Sequence, residues 1–196
     1  MAVSTLDQLR ADAATCTDCD LYRDATQTVF GEGPATADAV LVGEQPGDQE
    51  DRTGAPFVGP AGRVLDDALR AAGVDRTKVY VTNAVKHFKF EQRGKRRIHQ
   101  RPNRTEQVAC HRWIESELAS IRPRLVVCLG AVAATSLLGP KATVARLRGR
   151  PVESDLAELV AVTVHPSSIL RAPDDEARRL AYDGLRNDLA AAFSWL

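Results

Sequence analysis

Residues 39–47 read AVLVGEQPG, an apolar run that ends in a glycine and then in polar residues. A short apolar run bounded by turn residues predicts a buried strand, which places Glu44 and Gln45 at its carboxyl end. The same pattern predicts three further strands, at residues 79–82, 125–129 and 159–164. These four segments decide the fold, because each is too short for a helix and ends in residues that break a strand.

Segments with helical periodicity separate these strands. Residues 61–72 place their apolar side chains on one face, and further helices are predicted at 4–14, 104–121, 131–138 and 174–193. Strands that alternate with helices predict an α/β fold, a three-layer α/β/α sandwich around a mainly parallel sheet of about four strands. The 196 residues are expected to form one domain, 1–196.

The overall composition says less about the function of the protein than the sequence pattern says about its fold. Basic and acidic residues balance, 26 of each, so net charge does not indicate a nucleic-acid partner. No apolar run approaches the roughly 20 residues that a membrane span needs, and the N-terminus shows no secretion signal. We therefore expect a monomeric cytoplasmic protein with no membrane partner.

The distribution of charge is more informative than its sum. Residues 86–104, KHFKFEQRGKRRIHQRPNR, hold eight Lys or Arg residues and one acidic residue. This composition predicts a loop that lies against an anionic partner. His99, directly after the basic run, is a candidate nucleophile or phosphate contact, and the residues alone favour the phosphate contact. Candidate DNA contacts in this stretch are Lys86, Lys95, Arg96 and Arg97.

Polar residues follow three of the predicted strands. Glu44, Asn83 and His165 each come directly after or at the end of a strand, and the carboxyl ends of parallel strands meet at one edge of the sheet. The sequence therefore predicts a ligand site there. Other interpretations stay open: Phe57 could be a core residue or a ring that stacks on a flat ligand, and His165 could simply cap a strand. The acidic residues Asp48, Glu50 and Asp51 could form a solvated loop, the preferred interpretation for the last two.

Four cysteines suggest a metal site. Cys16 and Cys19 form a C-x2-C pair, Cys110 lies on a predicted helix, and Cys128 lies near the end of a strand. In a protein that is not secreted, such cysteines are metal ligands or buried thiols more often than disulfides. Four thiolates suit a structural zinc or a [4Fe–4S] cluster, and spacing alone does not choose between them.

A series of motifs, in order along nearly the whole chain, resembles the iron–sulfur uracil-DNA glycosylases related to family four. The resemblance is strongest to the UdgX type, which captures uracil-containing DNA covalently. The matching motifs are the C-x2-C pair, GEQPG at 43–47, GAPFVGPAGR at 54–63, TNAVKHFKF at 82–90, KRRIHQ at 95–100, the two later cysteines and HPSSIL at 165–170.

The resemblance implies a cofactor, a partner and roles for individual residues. The cofactor is a [4Fe–4S] cluster, with Cys16, Cys19, Cys110 and Cys128 as its ligands. The partner is uracil-containing DNA, including single-stranded DNA. Uracil would be bound by Phe57 stacking on its face and Asn83 reading its edge, with Gln45 in place of the small residue usual in family four. His165 would stabilise the departing base, and Ser167 and Ser168 would grip the DNA backbone.

The resemblance also implies that His99 attacks the sugar after uracil leaves and stays bonded to it. The neighbouring Lys95, Arg96 and Arg97 would keep its ring neutral and nucleophilic. Glu44 could fix the ring tautomer, while Gln45 and Asp48 could hold the loop or block the hydrolytic water. Two alternatives remain: a multiple-turnover glycosylase in which Glu44 or Asp48 positions water, and a non-catalytic module that binds single-stranded DNA.

Overall fold

The structure is a computed structural model that describes residues 4–196. Its central sheet has four parallel strands: β1 (Ala39–Gly43), β2 (Val79–Asn83), β5 (Leu125–Leu129) and β6 (Leu159–Thr163). They lie in the order β2-β1-β5-β6. All four predicted strands are therefore confirmed, and the sheet is parallel as predicted. Nearly every residue of these strands is buried, as expected for a parallel sheet covered on both faces.

Helices cover both faces of this sheet and complete the three layers. The helices are α1 (Leu6–Ala13), α2 (Asp48–Thr53), α3 (Pro60–Ala71), α4 (Arg104–Ile121), α5 (Ala131–Leu138), α6 (Val144–Leu147), α7 (Pro166–Leu170) and α8 (Asp175–Phe193). α1 and α4 contribute to the apolar core on one face, and α3 and α8 contribute to the core on the other. Within residues 4–196, no helix is long and apolar enough to cross a membrane.

Local sequence explains where the site-bearing helices begin. Gly59 precedes Pro60, whose fixed φ and missing N–H suit the first turn of α3. Asn103 accepts a hydrogen bond from the Glu106 N–H at 3.0 Å, while Glu106 accepts one from the Asn103 N–H at 2.6 Å. This reciprocal capping box fixes the start of α4 directly after the basic stretch.

The basic stretch is not the loop that the sequence predicts. Residues 90–99 form an antiparallel hairpin of β3 (Phe90–Arg93) and β4 (Arg96–His99), here called the basic hairpin. Gly94 makes its turn with φ of 59°, a conformation that glycine adopts without strain. The hairpin pairs Phe90 with His99, so its two strands present the histidine at its base rather than at its tip.

Candidate active site

A cleft of about 980 Å³ opens at the carboxyl edge of the sheet. Its walls come from the segments after β1, β2 and β6, from the first turns of α3 and α5, and from the end of the basic hairpin. The structure thus brings together at one edge the polar residues that follow separate strands. The predicted site residues that line it are Glu44, Gln45, Asp48, Phe57, Asn83, His99, His165, Ser167 and Ser168.

The floor of the cleft is built by an aromatic ring and an amide around a glycine. A side chain on Gly43 would place its Cβ 2.4 Å from Asn83 Oδ1 and 2.6 Å from Phe57 Cζ, so only glycine permits this approach. Phe57 itself has φ of 57°, a left-handed conformation that costs a non-glycine residue of order 1–3 kcal/mol. This strained conformation holds the Phe57 ring beside Asn83. The arrangement suits a flat ligand with an amide edge.

His165 faces the same cleft in a defined tautomer. Its Nδ1 accepts a hydrogen bond from the Ser167 N–H at 3.2 Å and lies 2.8 Å from the Ser167 hydroxyl. Burial lowers the pKa of His165 to about 4, with Arg171 and His99 adding to the effect. The ring is therefore neutral near pH 7, and because Nδ1 is an acceptor its proton lies on Nε2. Its plane is 28° from that of Phe57, with the centroids 6.3 Å apart.

His99 lines the same cleft as His165 and lies beside Glu44. Its Nε2 is 3.6 Å from Glu44 Oε1, too long for a hydrogen bond but close enough for charge stabilisation. Partial burial lowers the pKa of His99 and Arg171 lowers it further, whereas its own backbone carbonyl raises it. Nε2 is the ring nitrogen that faces Glu44.

The prediction that His99 is kept neutral agrees with this pKa shift, but the predicted cause is wrong. The lowering comes from burial and from Arg171, not from the neighbouring Lys95, Arg96 and Arg97. Burial also raises the pKa of Glu44, which Arg101 and Arg171 partly oppose. The role of Glu44 in fixing the ring tautomer stays a prediction, and its carboxylate faces Nε2.

Gln45 holds the two ends of the basic hairpin together. Its amide nitrogen donates to the carbonyl oxygens of Lys89 and Gln100 at 3.1 and 3.0 Å, and its oxygen accepts from the Lys89 N–H at 3.2 Å. This supports the predicted loop-holding role. Both ends of the amide are therefore engaged by protein, which leaves it less suited to the predicted contact with uracil.

Arg97 attaches the basic hairpin to α2. Its guanidinium contacts Asp48, donates to Asp51 Oδ2 at 2.6 Å, and lies over the rings of Phe88 and Phe90 at 5.3 and 5.0 Å. Only 10% of its side chain is exposed. The prediction that Arg97 binds DNA is therefore wrong, because its side chain is buried and its donors are already engaged by protein groups.

The acidic residues of α2 differ from the solvated loop that the sequence predicts. Asp51 is fully buried and accepts from the Thr26 N–H as well as from Arg97. Glu50 is also buried and accepts from the N–H groups of Gly59 and Gly47 at 2.7 and 3.1 Å. Hydrogen bonds from Arg52 and Arg97 lower the pKa of Asp48, so this carboxylate serves the hairpin attachment.

The structure also contradicts the predicted role of Lys86. Its side chain is only 1% exposed, and its ammonium is 2.5 Å from Glu117 Oε2 inside the protein. The prediction that it contacts DNA is wrong for that reason. Lys95 and Arg96 are exposed at the turn of the basic hairpin, so they stay predicted DNA contacts.

Two arginines complete the cleft and were missed by sequence reasoning. Arg171 donates to Ser167 Oγ at 2.9 Å and affects the pKa of both cleft histidines. Arg101 lines the cleft near Glu44. Both sit just beyond a motif, Arg101 after KRRIHQ and Arg171 after HPSSIL, which is the signal that could have found them. The Ser168 hydroxyl donates to the His165 carbonyl oxygen at 2.7 Å, so its contact with DNA stays a prediction.

The structure groups three of the four cysteines. Burial raises the pKa of Cys110 to about 12, and the thiols of Cys19 and Cys16 add to that shift. Two donors face these thiols: the Lys86 N–H lies 3.2 Å from Cys110 Sγ, and the Trp113 indole N–H lies 3.3 Å from Cys16 Sγ. Such donors stabilise thiolates, the form that binds metal.

Cys128 is set apart from this group. It lies inside the sheet on β5, between Val42 and Val162, and burial alone raises its pKa to about 12. Its predicted role as a cluster ligand is not confirmed. Within residues 4–196, no three candidate ligands converge as around a single metal ion. A four-iron cluster has a larger ligand shell, and the three grouped thiols are the right donors for it.

His87 is a buried side chain that is linked through Thr28 to the segment that carries Cys16. Its Nε2 lies 2.9 Å from Thr28 Oγ1, and that hydroxyl donates its hydrogen to the Ala13 carbonyl oxygen, which also accepts the Cys16 N–H. The hydroxyl must therefore accept from Nε2–H, which leaves the Nδ1 lone pair free. Burial lowers the pKa of His87, so the ring is neutral. Sequence reasoning missed it, although it stands beside Lys86 in TNAVKHFKF.

Comparison with known proteins agrees with this site. A sequence profile of the "Uracil DNA glycosylase superfamily" matches residues 30–189, and the chain belongs to that superfamily. The type-4 uracil-DNA glycosylase of Thermotoga maritima is 37% identical over 171 residues, 87% of this chain and 85% of that protein. The type-4 enzymes of Archaeoglobus fulgidus and Pyrobaculum aerophilum are 32% and 33% identical over 87% and 86% of this chain, and over 86% of each of them.

Proposed function

We propose that this protein is a uracil-DNA glycosylase that excises uracil and then becomes covalently joined, through His99, to the abasic sugar. Its superfamily supports the glycosylase activity. One observation supports the capture step: a neutral His99 lies beside the Glu44 carboxylate, in the same cleft as the residues suited to hold the base.

Release of the base needs an extruded nucleotide and stabilisation of negative charge. The Phe57 ring would stack on the flipped uracil, and the Asn83 amide would bond its edge. As the bond between the base and sugar C1′ breaks, its electron pair goes to uracil. The neutral His165 would donate its Nε2–H to the developing anion, a preorganised contact that does not require a proton to be transferred.

Capture would follow on the opposite face of the sugar. The cation left at C1′ carries positive charge, which the Glu44 carboxylate would stabilise. The lone pair of a His99 ring nitrogen would then form the new bond to C1′, and the neutral ring becomes an imidazolium that keeps its one N–H proton. Uracil takes a proton from solvent. Gln45 and Arg97 would hold the hairpin so that the ring, rather than water, occupies this position.

The DNA partner would lie across the cleft mouth, with Lys95 and Arg96 near its phosphates. An open cleft of this size can accept a base from single-stranded DNA, and we propose such DNA among the substrates of a monomeric protein. If these two residues bind phosphate, replacing both with glutamine should make the slope of log binding constant against log salt concentration shallower by about 2. The reason is that about two fewer counterions are released when DNA binds. An unchanged salt slope would contradict that assignment.

A [4Fe–4S] cluster would be bound on the other side of β2, by Cys16, Cys19 and Cys110 with the His87 imidazole as the fourth ligand. Imidazole replaces thiolate in some iron–sulfur centres. The cluster would supply a rigid link between the C-x2-C turn, the segment after β2 and α4. Iron and sulfide analysis of Cys110→Ser, His87→Ala and Cys128→Ser tests this set: the first two should lose iron and the third should keep it. Iron loss in Cys128→Ser alone would contradict it.

The capture step is tested on a denaturing gel after incubation with single-stranded DNA that contains one uracil. The wild-type protein should give a shifted band that resists heat and detergent, in a yield limited to one DNA per protein. His99→Ser should lose that band. Release of free abasic DNA over many turnovers by the wild type would instead support the hydrolytic alternative, in which Glu44, with its raised pKa, positions water.

A further inference from the structure

A charged network lies buried between β2 and α4. Lys86 and Glu117 are 1% and 0% exposed at their side chains. Glu117 accepts hydrogen bonds from the Tyr80 hydroxyl at 2.9 Å, the Thr82 hydroxyl at 2.9 Å and the Gly31 N–H at 3.1 Å. A buried ion pair rarely makes a fold more stable than apolar residues of similar volume would. The groups that this pair holds in place therefore indicate its role.

The Lys86 ammonium has three hydrogens, and the network accounts for all of them. It lies 2.6 Å from Thr82 Oγ1, 2.8 Å from the Asn83 carbonyl oxygen and 2.5 Å from Glu117 Oε2. The carbonyl contact matters most. Asn83 is the last residue of β2 in register with β1, so its buried carbonyl oxygen has reached the end of the ladder and needs a donor from elsewhere.

Lys86 also contacts the grouped cysteines through its backbone. The Lys86 N–H lies 3.2 Å from Cys110 Sγ, and the Lys86 carbonyl oxygen accepts the Val29 N–H at 2.8 Å. Between these contacts and the ammonium, Lys86 is fixed at both ends. A turn of four residues, 83–86, thus connects the amide that faces the cleft with the thiol that lies behind it.

We propose that Lys86 is a positioning residue for uracil recognition, which fixes the peptide of Asn83 from inside the protein. The inference rests on the proposed role of Asn83 in reading the base. Asn83 Oδ1 packs so tightly over Gly43 that a small rotation of its peptide would move the amide against the Phe57 ring or out of the cleft. Misplacement of a binding group by about 1 Å can cost on the order of 100-fold in rate.

A double substitution makes this testable without leaving a charge unpaired. Lys86→Met with Glu117→Gln removes both charges, keeps the side-chain volumes similar, and retains an acceptor for Tyr80, Thr82 and Gly31. Uracil excision is measured under single-turnover conditions, and thermal melting and iron content confirm that the variant folds. The rate is expected to fall about 10–100-fold. Tyr80→Phe is the matched control, because it loses a hydrogen bond to Glu117 but leaves the Lys86 contact with Asn83 intact.

A double-mutant cycle separates positioning from general damage. Asn83→Ala alone is expected to slow excision about 100–1,000-fold, the usual cost of removing a preorganised donor. In that background, the substitutions at 86 and 117 should change the rate less than about 2-fold, because Lys86 acts only through Asn83. Multiplicative effects, or a full rate in the variant with Asn83 present, would overturn the inference. A full rate in Asn83→Ala would instead overturn the proposed function of Asn83 itself.

Discussion

Replacing Arg97 with methionine should separate capture from excision. The arginine joins the basic hairpin to α2 through Asp48 and Asp51, and it contacts none of the residues proposed to hold the base. Methionine keeps most of the apolar contact with the Phe88 and Phe90 rings while removing the charge. We therefore expect the hairpin to loosen and His99 to lose its position, while Phe57, Asn83 and His165 stay in place.

The magnitude follows from the burial of the two carboxylates. Asp51 is fully buried, and a lost hydrogen bond to a buried charged group costs about 1.5–3 kcal/mol. Asp48 is 42% exposed and keeps Arg52 as a partner, so its share is below about 1 kcal/mol. The docked hairpin should thus lose about 2–4 kcal/mol, which corresponds to roughly a 30- to 1,000-fold fall in the ratio of docked to undocked hairpin.

Single-turnover assays measure both steps in one experiment. Release of free uracil reports excision, and the shifted band on a denaturing gel reports capture. We expect Arg97→Met to release uracil within about 3-fold of the wild-type rate, and to capture DNA at least about 10-fold more slowly. Arg96→Met, which removes an equal charge from an exposed neighbour, is the control for lost DNA affinity. Equal slowing of the two steps in Arg97→Met, or equal loss of capture in Arg96→Met, would refute the reasoning.

Three further predictions concern single groups in the cleft. Burial and Arg171 lower the pKa of His99, so its ring stays neutral even at a pH near 6.5, the ordinary pKa of histidine. The rate of single-turnover capture should therefore be constant from pH 8 down to about 6.5 and fall only below that pH. A rate that begins to fall above pH 7 contradicts this. Glu44→Gln should slow capture about 10–100-fold at pH 7.5 by removing charge stabilisation, and an unchanged rate excludes that role. Phe57→Ala should slow excision about 10-fold or more through lost stacking on the base, whereas an unaffected rate would assign the ring to the core alone.

The sheet could be predicted from sequence because each strand carries its own signal. Residues 39–43 and 125–129 are short apolar runs that end in glycine or a polar residue, and such runs form buried parallel strands in any α/β fold. The edge of the sheet that bears the site follows from the same rule. Glu44, Asn83 and His165 could be placed together for that reason, before any side-chain contact was known.

The basic hairpin shows where sequence reasoning ends. Its strands are short and rich in charge, and the contacts that hold it come from Gln45 and from the carboxylates of α2, far away in sequence. Charge alone made Lys86 and Arg97 look alike, as exposed cations. Only the packed structure shows that one is buried against Glu117 and the other against Asp51.

The cysteines show a similar limit. Cys110 and Cys128 are both buried and both follow the C-x2-C pair, so sequence gave no reason to prefer either. The difference lies in their surroundings, since one faces the turn that carries Cys16 and Cys19 and the other lies within the sheet. The link from His87 to the segment of Cys16 could not be recognised, because it runs through Thr28.

Peptide mapping of the protein–DNA adduct by mass spectrometry tests the central claim most directly. The wild-type protein is incubated with a short single-stranded DNA containing one uracil, digested with nuclease and protease, and searched for a peptide that carries a deoxyribose remnant. The proposed mechanism expects that remnant on the imidazole of His99, in up to one copy per protein, with free uracil released in equal amount. A remnant on another residue, or uracil release with no modified peptide, would contradict it.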